Sequence, residues 1–157
     1  MSPESLIAII TALIALAAYV TSSISAARAR VKTIEDAYVA RYWQILDRFP
    51  SEALVAEQGR SLDSEDERVV RLYLRLCEDE LELRQLGWVS GQTWEQWRSG
   101  ITAALEQWPV VQEWEPIKEG RRAPNQFELL RKLSTGVQQD PFQPTGLAHI
   151  TRRWRQL

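Results

Sequence analysis

Residues that carry chemistry are scarce in this chain. Among 157 residues there is one cysteine, Cys77, and one histidine, His149. A single cysteine forms no disulfide within the chain, which fits a reducing compartment. With one histidine, no zinc spacing can be built, and a Ser–His–Asp set has only that imidazole to draw on. Seven glycines and seven prolines are scattered as single breaks, and none forms a glycine-rich phosphate loop. No cofactor and no metal is expected. The balance of residues points away from an enzyme.

Charge is missing from one long stretch. Leu6 to Ile24 (LIAIITALIALAAYVTSSI) holds no charged side chain. As a helix it would span about 28 Å, close to the hydrocarbon core of a bilayer. The run is apolar on every face, unlike a soluble amphipathic helix. A cleaved signal peptide is the competing reading, with Ser25-Ala26-Ala27 as its cleavage site. Such a leader carries a basic n-region, and only Glu4 precedes the run here. A retained anchor over residues 6–27 is therefore expected. Arg28, Arg30 and Lys32 follow it and no Lys or Arg comes before it. The positive-inside rule then puts the C-terminal side in the cytoplasm.

The net charge is −2, which gives nucleic acid no bulk attraction. Its distribution is uneven. Residues 52–115 hold 14 acidic and 6 basic side chains, whereas residues 116–157 hold 3 and 8. Two readings are open: the basic end lies on the acidic middle, or it meets anionic lipid.

The remaining pattern is helical throughout, so the fold expected is all-α. Residues 1–5 form a short tail before the anchor. After the anchor, Val31, Ile34, Tyr38, Tyr42, Ile45 and Phe49 recur at steps of three and four. They predict a stalk helix over 28–49, continuous with the membrane helix and stopped by Pro50. Its apolar stripe must face the downstream domain or a second copy. A small helical domain is expected over 50–136. Its helices would run Ser51–Gln58, Glu65–Leu86 with a Ser64/Glu67 capping box and Gly87 as stop, and a Trp94-containing helix capped by Ser90. A short helix after Pro109, limited by Pro116, and a helix capped by Asn125 and ended by Gly136 complete it. Residues 137–157 read as a basic tail, with an amphipathic turn around Leu147, Ile150 and Trp154.

The densest stretch is YLRLCEDELELRQLGWVSGQTWEQWRSGI, Tyr73 to Ile101. Its acidic run suggests metal, but carboxylate metal sites in bundles draw ligands from several helices, commonly with histidine. The run is expected to be mostly a wetted face, with Arg75 and Arg84 as partners. Cys77 sits mid-helix beside Val69, Tyr73, Leu76 and Leu83, where packing is expected, and the neighbouring carboxylates would raise its pKa. Trp94, Trp97, Ile101, Leu105 and Trp108 follow helical spacing and read as core, and Trp88 as cover for the turn. A base-stacking platform would need a basic groove, and this region is acidic. One functional alternative is retained here: a pocket around Glu78, Glu80, Trp94 and Trp97. In the anchor, Ala8, Thr11, Ala12, Ala15, Ala18 and Ser22 form a small-residue face suited to helix contact in lipid.

Tyr73, Leu76, Cys77, Glu78, Glu80, Leu83, Gly87, Val89, Trp94, Trp97, Gly100 and Ile101 carry a resemblance. With Trp114 and Phe127, they resemble a pattern in small bacterial membrane-anchored helical proteins of unknown function. The resemblance covers about residues 42–133. It implies an anchor followed by a helical domain, and no catalytic residue.

The expected function is that of a membrane-tethered interaction, adaptor or regulatory module, in a stress or phage-defence setting. Its partners would be the bilayer, an unidentified protein, and a second copy forming a homo-oligomer, without nucleic acid. A tether raises local concentration and needs no catalytic site. Two alternatives differ in class: a ligand-sensing or enzymatic pocket, and a membrane-perturbing toxin acting through the span.

Overall fold

The computed structural model describes residues 2–54 and 61–143. Among these the chain is all helical, with no strand. Helix α1, Pro3–Leu46, is 44 residues long, with Pro3 in its first turn and Ser2 as its cap. It is the one described helix long and apolar enough to cross a membrane. Leu6, Ile10, Leu13 and Ile14 are all about half exposed or more, so no protein covers this half.

The second half of α1 behaves differently. Val31, Ile34, Tyr38, Tyr42, Ile45 and Phe49 are all partly or fully buried. Of the two partners open to this stripe, the domain takes it. Tyr38, Tyr42, Ile45 and Phe49 join the main core. The apolar first half of α1 is thus joined to the domain by its own continuation.

A short α2, Ser51–Leu54, follows Pro50. The rest of the helix expected as far as Gln58 lies outside the described residues. Helix α3, Ser64–Gln85, is the centre of the body and contacts α1, α5 and α6. Val70, Leu74 and Leu76 on it are fully shielded from solvent. Its capping box is one residue earlier than the sequence implied. Asp63 Oδ1 accepts from the N–H of Glu65 and Asp66, and Asp66 Oδ2 accepts from the N–H of Asp63. A carboxylate accepts two bonds there, where the Ser64 hydroxyl would accept one.

Gly87 ends α3 in the left-handed conformation, φ +77°, and Trp88 N–H donates to the Leu83 carbonyl. This is a Schellman-type stop. Ser90 then caps α4, Gly91–Leu105, accepting from Thr93 N–H. Helix α5, Val110–Lys118, runs through Pro116 instead of stopping before it. Trp114 and Ile117 are both buried, and their burial holds the chain helical across the proline. Helix α6, Glu128–Ser134, begins after Phe127 at φ +59°, without a side-chain cap from the preceding segment, so Asn125 does not cap it.

Residues 138–143, assigned by sequence to the tail, return to the α3–α4 turn. Arg84 is 3 % exposed and holds them. Its guanidinium donates to both Asp140 oxygens and to the Val89 carbonyl. It lies 5.9 Å from the Trp94 ring centre and 5.6 Å from that of Phe142. Phe142 covers Gly87, while Trp88, expected as cover, is exposed. The remaining tail, with Leu147, His149, Ile150 and Trp154, lies outside the described residues.

Candidate functional site: an aromatic cleft with a buried carboxyl

The acidic run on α3 divides by helical phase. Glu82 is exposed and Asp79 is half-buried beside Arg75, at 3.0 Å. Glu78 and Glu80 are 5 % and 6 % exposed. The expectation of a mostly wetted face fails for these two. Position 80 lies about 200° around the helix from position 78, so the two carboxyls meet different neighbours.

Glu78 turns toward α6. Its two oxygens accept from the N–H groups of Leu129, at 3.0 Å, and Leu130, at 2.8 Å. These are orphan donors of the first helical turn, capped from a distant helix. Burial raises the Glu78 pKa, and the two N–H bonds pull against that rise.

Glu80 turns toward α1 and α4. No described residue donates a hydrogen bond to it, and no described cation pairs with it. Burial, with the Asp79 charge in second place, pushes its pKa up to about 8. It lines a cleft of about 400 Å³ with Val39, Tyr42 and Trp43 of α1, Tyr73 of α3, and Trp97, Gly100 and Ile101 of α4. The cleft lies where residues of α1, α3 and α4 face one another, α1 being packed on α3 and α4 on α5 and α6. Between α1 and α4, Tyr38 tilts against Trp97 at 6.2 Å and Glu35 accepts from Ser90 N–H at 2.8 Å.

The walls are largely aromatic. Tyr42 meets Trp43 edge-on at 5.3 Å and Tyr73 at 6.3 Å, and Phe49 supports Tyr73 at 5.7 Å. Burial raises the pKa of both Tyr42 and Tyr73, so their hydroxyls stay protonated. Cys77 lies below, 1 % exposed, its thiol pushed well up by burial and then by Glu80. A thiol so held is a packing group.

Of the four residues singled out in the sequence, the structure brings Glu80 and Trp97 into this cleft. Glu78 is committed to α6. Trp94 is fully buried, and its indole N–H finds no hydrogen-bond partner. The sequence reading missed Tyr42, Trp43, Tyr73 and Gly100 as site residues. Tyr42 was already marked by the stalk stripe, but nothing in the local pattern says which helix faces it. A second carboxylate, Glu113, is satisfied in another way. Burial would raise it, but hydrogen bonds from Arg71, at 2.8 Å, and Arg122, at 2.7 Å, hold it below its ordinary range.

The small-residue face of α1, Ala8, Thr11, Ala12, Ala15, Ala18 and Ser22, is exposed along its whole length. Thr11 returns its hydroxyl to the Ile7 carbonyl. Comparison with known proteins finds no matching family, no similar curated protein and no similar solved structure.

Proposed function

We propose that this chain is a single-pass binding module of the bacterial inner membrane, with its helical domain in the cytoplasm. The module takes a small ligand in the cleft between stalk and domain and transmits its occupancy along α1. The observation that carries this reading is the Glu80 carboxyl, 6 % exposed and lining an aromatic cleft, with no hydrogen bond or ion pair to a described residue. A carboxyl desolvated beside a cleft, its pKa pushed up by burial, commonly marks a functional site. Residues of α1, α3 and α4 all line the cleft, so filling it would alter how the stalk sits on the body. The reading has no catalytic step. Arg28, Arg30 and Lys32 support the orientation.

The test uses the full chain in detergent and the small-molecule fraction of a cell extract. Amide exchange should slow at residues 39–43 and 96–104 in the wild type. Gly100→Leu, which fills the cleft, should abolish the protection. Unchanged exchange in the wild type would remove the ligand-binding reading.

A second reading, that of an adaptor or regulatory module in stress or phage defence, is favoured by Val39 and Trp43. They are 41 % and 56 % exposed on the stalk beyond the span. A photocrosslinker at Trp43 that captured a defined protein, or a second copy, would support it. Monomer alone, there and along the small-residue face, would count against association.

A further inference from the structure

The chemistry of the cleft narrows the ligand, and this inference rests on the ligand-binding reading above. Its lining offers π faces, two amides and one carboxyl. Tyr42, Trp43, Tyr73 and Trp97 supply the faces, Gln96 and Gln107 the amides, and Glu80 the acid. Among the described residues, no lysine, arginine or histidine lines it. An anion would meet a carboxyl and find no cation. A purely apolar ligand would leave Glu80 unsatisfied and deepen its desolvation. A cation satisfies both parts of the lining, because aromatic faces carry negative charge density and attract cations.

We propose that the cleft binds a small organic cation of the quaternary ammonium class, held between the aromatic faces with Glu80 as its counter-ion. The same lining separates quaternary from primary ammonium. A primary ammonium gives up the hydration of three N–H donors on entry, and besides Glu80 only the two amides and the tyrosine hydroxyls could replace it. A quaternary head has no N–H to satisfy and is weakly hydrated. Aromatic enclosure with a nearby carboxylate is the usual way such heads are recognised. The raised Glu80 pKa agrees: the empty cleft keeps the acid protonated, and an arriving cation would draw it into the ionised form.

Choline in solution and the choline headgroup of a lipid share this chemistry. Tyr42 stands 15 positions beyond Ala27, about 22 Å along a straight helix from the end of the span. That separation favours the dissolved form.

The experiment titrates the full chain in detergent with choline and, in parallel, with 3,3-dimethylbutan-1-ol, its neutral isostere of the same shape. Binding is read by the fluorescence of the cleft tryptophans and by calorimetry. Choline should bind at least tenfold more tightly than the alcohol. Glu80→Gln should remove that margin while the fold, followed by circular dichroism, persists. Gly100→Leu should remove binding of both. Equal binding of the alcohol would overturn the cation assignment and leave the ligand-binding reading standing. Protection by cell extract without any choline binding would do the same. Failure of both probes, and of the extract, would overturn both. Reconstitution into vesicles with and without phosphatidylcholine separates the two sources. Weaker choline binding only in the phosphatidylcholine vesicles identifies the headgroup, and equal binding identifies the soluble cation.

Discussion

Glu78 and Glu80 stand two positions apart on α3, both buried, and only Glu78 has hydrogen-bond donors. The first carboxyl is structural, and the second is the one the proposed ligand would meet. Their contrast sets the expected behaviour of the domain.

Removing the cap should loosen α6. Glu78→Ala leaves the N–H groups of Leu129 and Leu130 without their acceptors. A loss of about 1–3 kcal/mol is expected. Thermal unfolding in detergent should show it, and amide exchange should quicken first at those two residues. Glu78→Gln keeps one acceptor oxygen and should lose less.

Glu80 should destabilise the fold as pH rises. Its folded pKa of about 8 lies above the ordinary 4.5, so folding takes up a proton between these values. Its contribution is fully present below the lower value and is lost as pH climbs to the upper one. The limiting slope is about 1.4 kcal/mol per pH unit. The groups around it are Asp79, Tyr73 and Cys77 on α3 and Tyr42 on α1, with Arg75 and Arg41 held by Asp79 at 3.0 and 3.9 Å. Glu80→Gln removes the titration. The gap in melting temperature between variant and wild type should widen from pH 5 to about 8 and then level off. A gap independent of pH would show that the group titrates normally.

Gly100 should accept a side chain. Nothing lies within 4 Å of a Cβ built there, and the residue sits inside α4. Gly100→Ala should stabilise the domain by about 0.5–1 kcal/mol through helix propensity alone. Unfolding in denaturant would measure this. A destabilised variant would mean that the cleft is narrower than described.

The strap over the α3–α4 turn should depend on Gly87 and Arg84. A Cβ at Gly87 would lie 2.9 Å from Phe142 Cε2, on a backbone at φ +77°. Gly87→Ala should cost at least about 1 kcal/mol. Arg84→Met should free Asp140 and Phe142, costing about 1–3 kcal/mol. In both variants, exchange at the Phe142 amide should quicken, since that N–H is held by Asp140 at 2.9 Å.

Local sequence was enough for the architecture. The uncharged run from Leu6 to Ile24 marks a helix long and apolar enough to cross a membrane. The stripe from Val31 to Phe49 requires a helix with one covered face. Gly87 and Ser90 mark a turn because a left-handed stop and a hydroxyl cap are local chemistry. Cys77 could be read as packing because its phase matches Tyr73 and Leu76.

Only the tertiary structure could assign the acids and the cleft. Composition makes Glu78 and Glu80 look like surface, and their burial depends on which helices cover α3. The cap on α6 joins residues 51 and 52 positions apart. The strap joins Arg84 to Asp140 over 56 positions. Such pairings leave no trace in helical period. The cleft is a gap lined by α1, α3 and α4, and a gap is a property of their placement. Sequence by itself determined which faces had to be covered. Packing decided what covered them, and left Glu80 facing the cleft with no partner among the described residues.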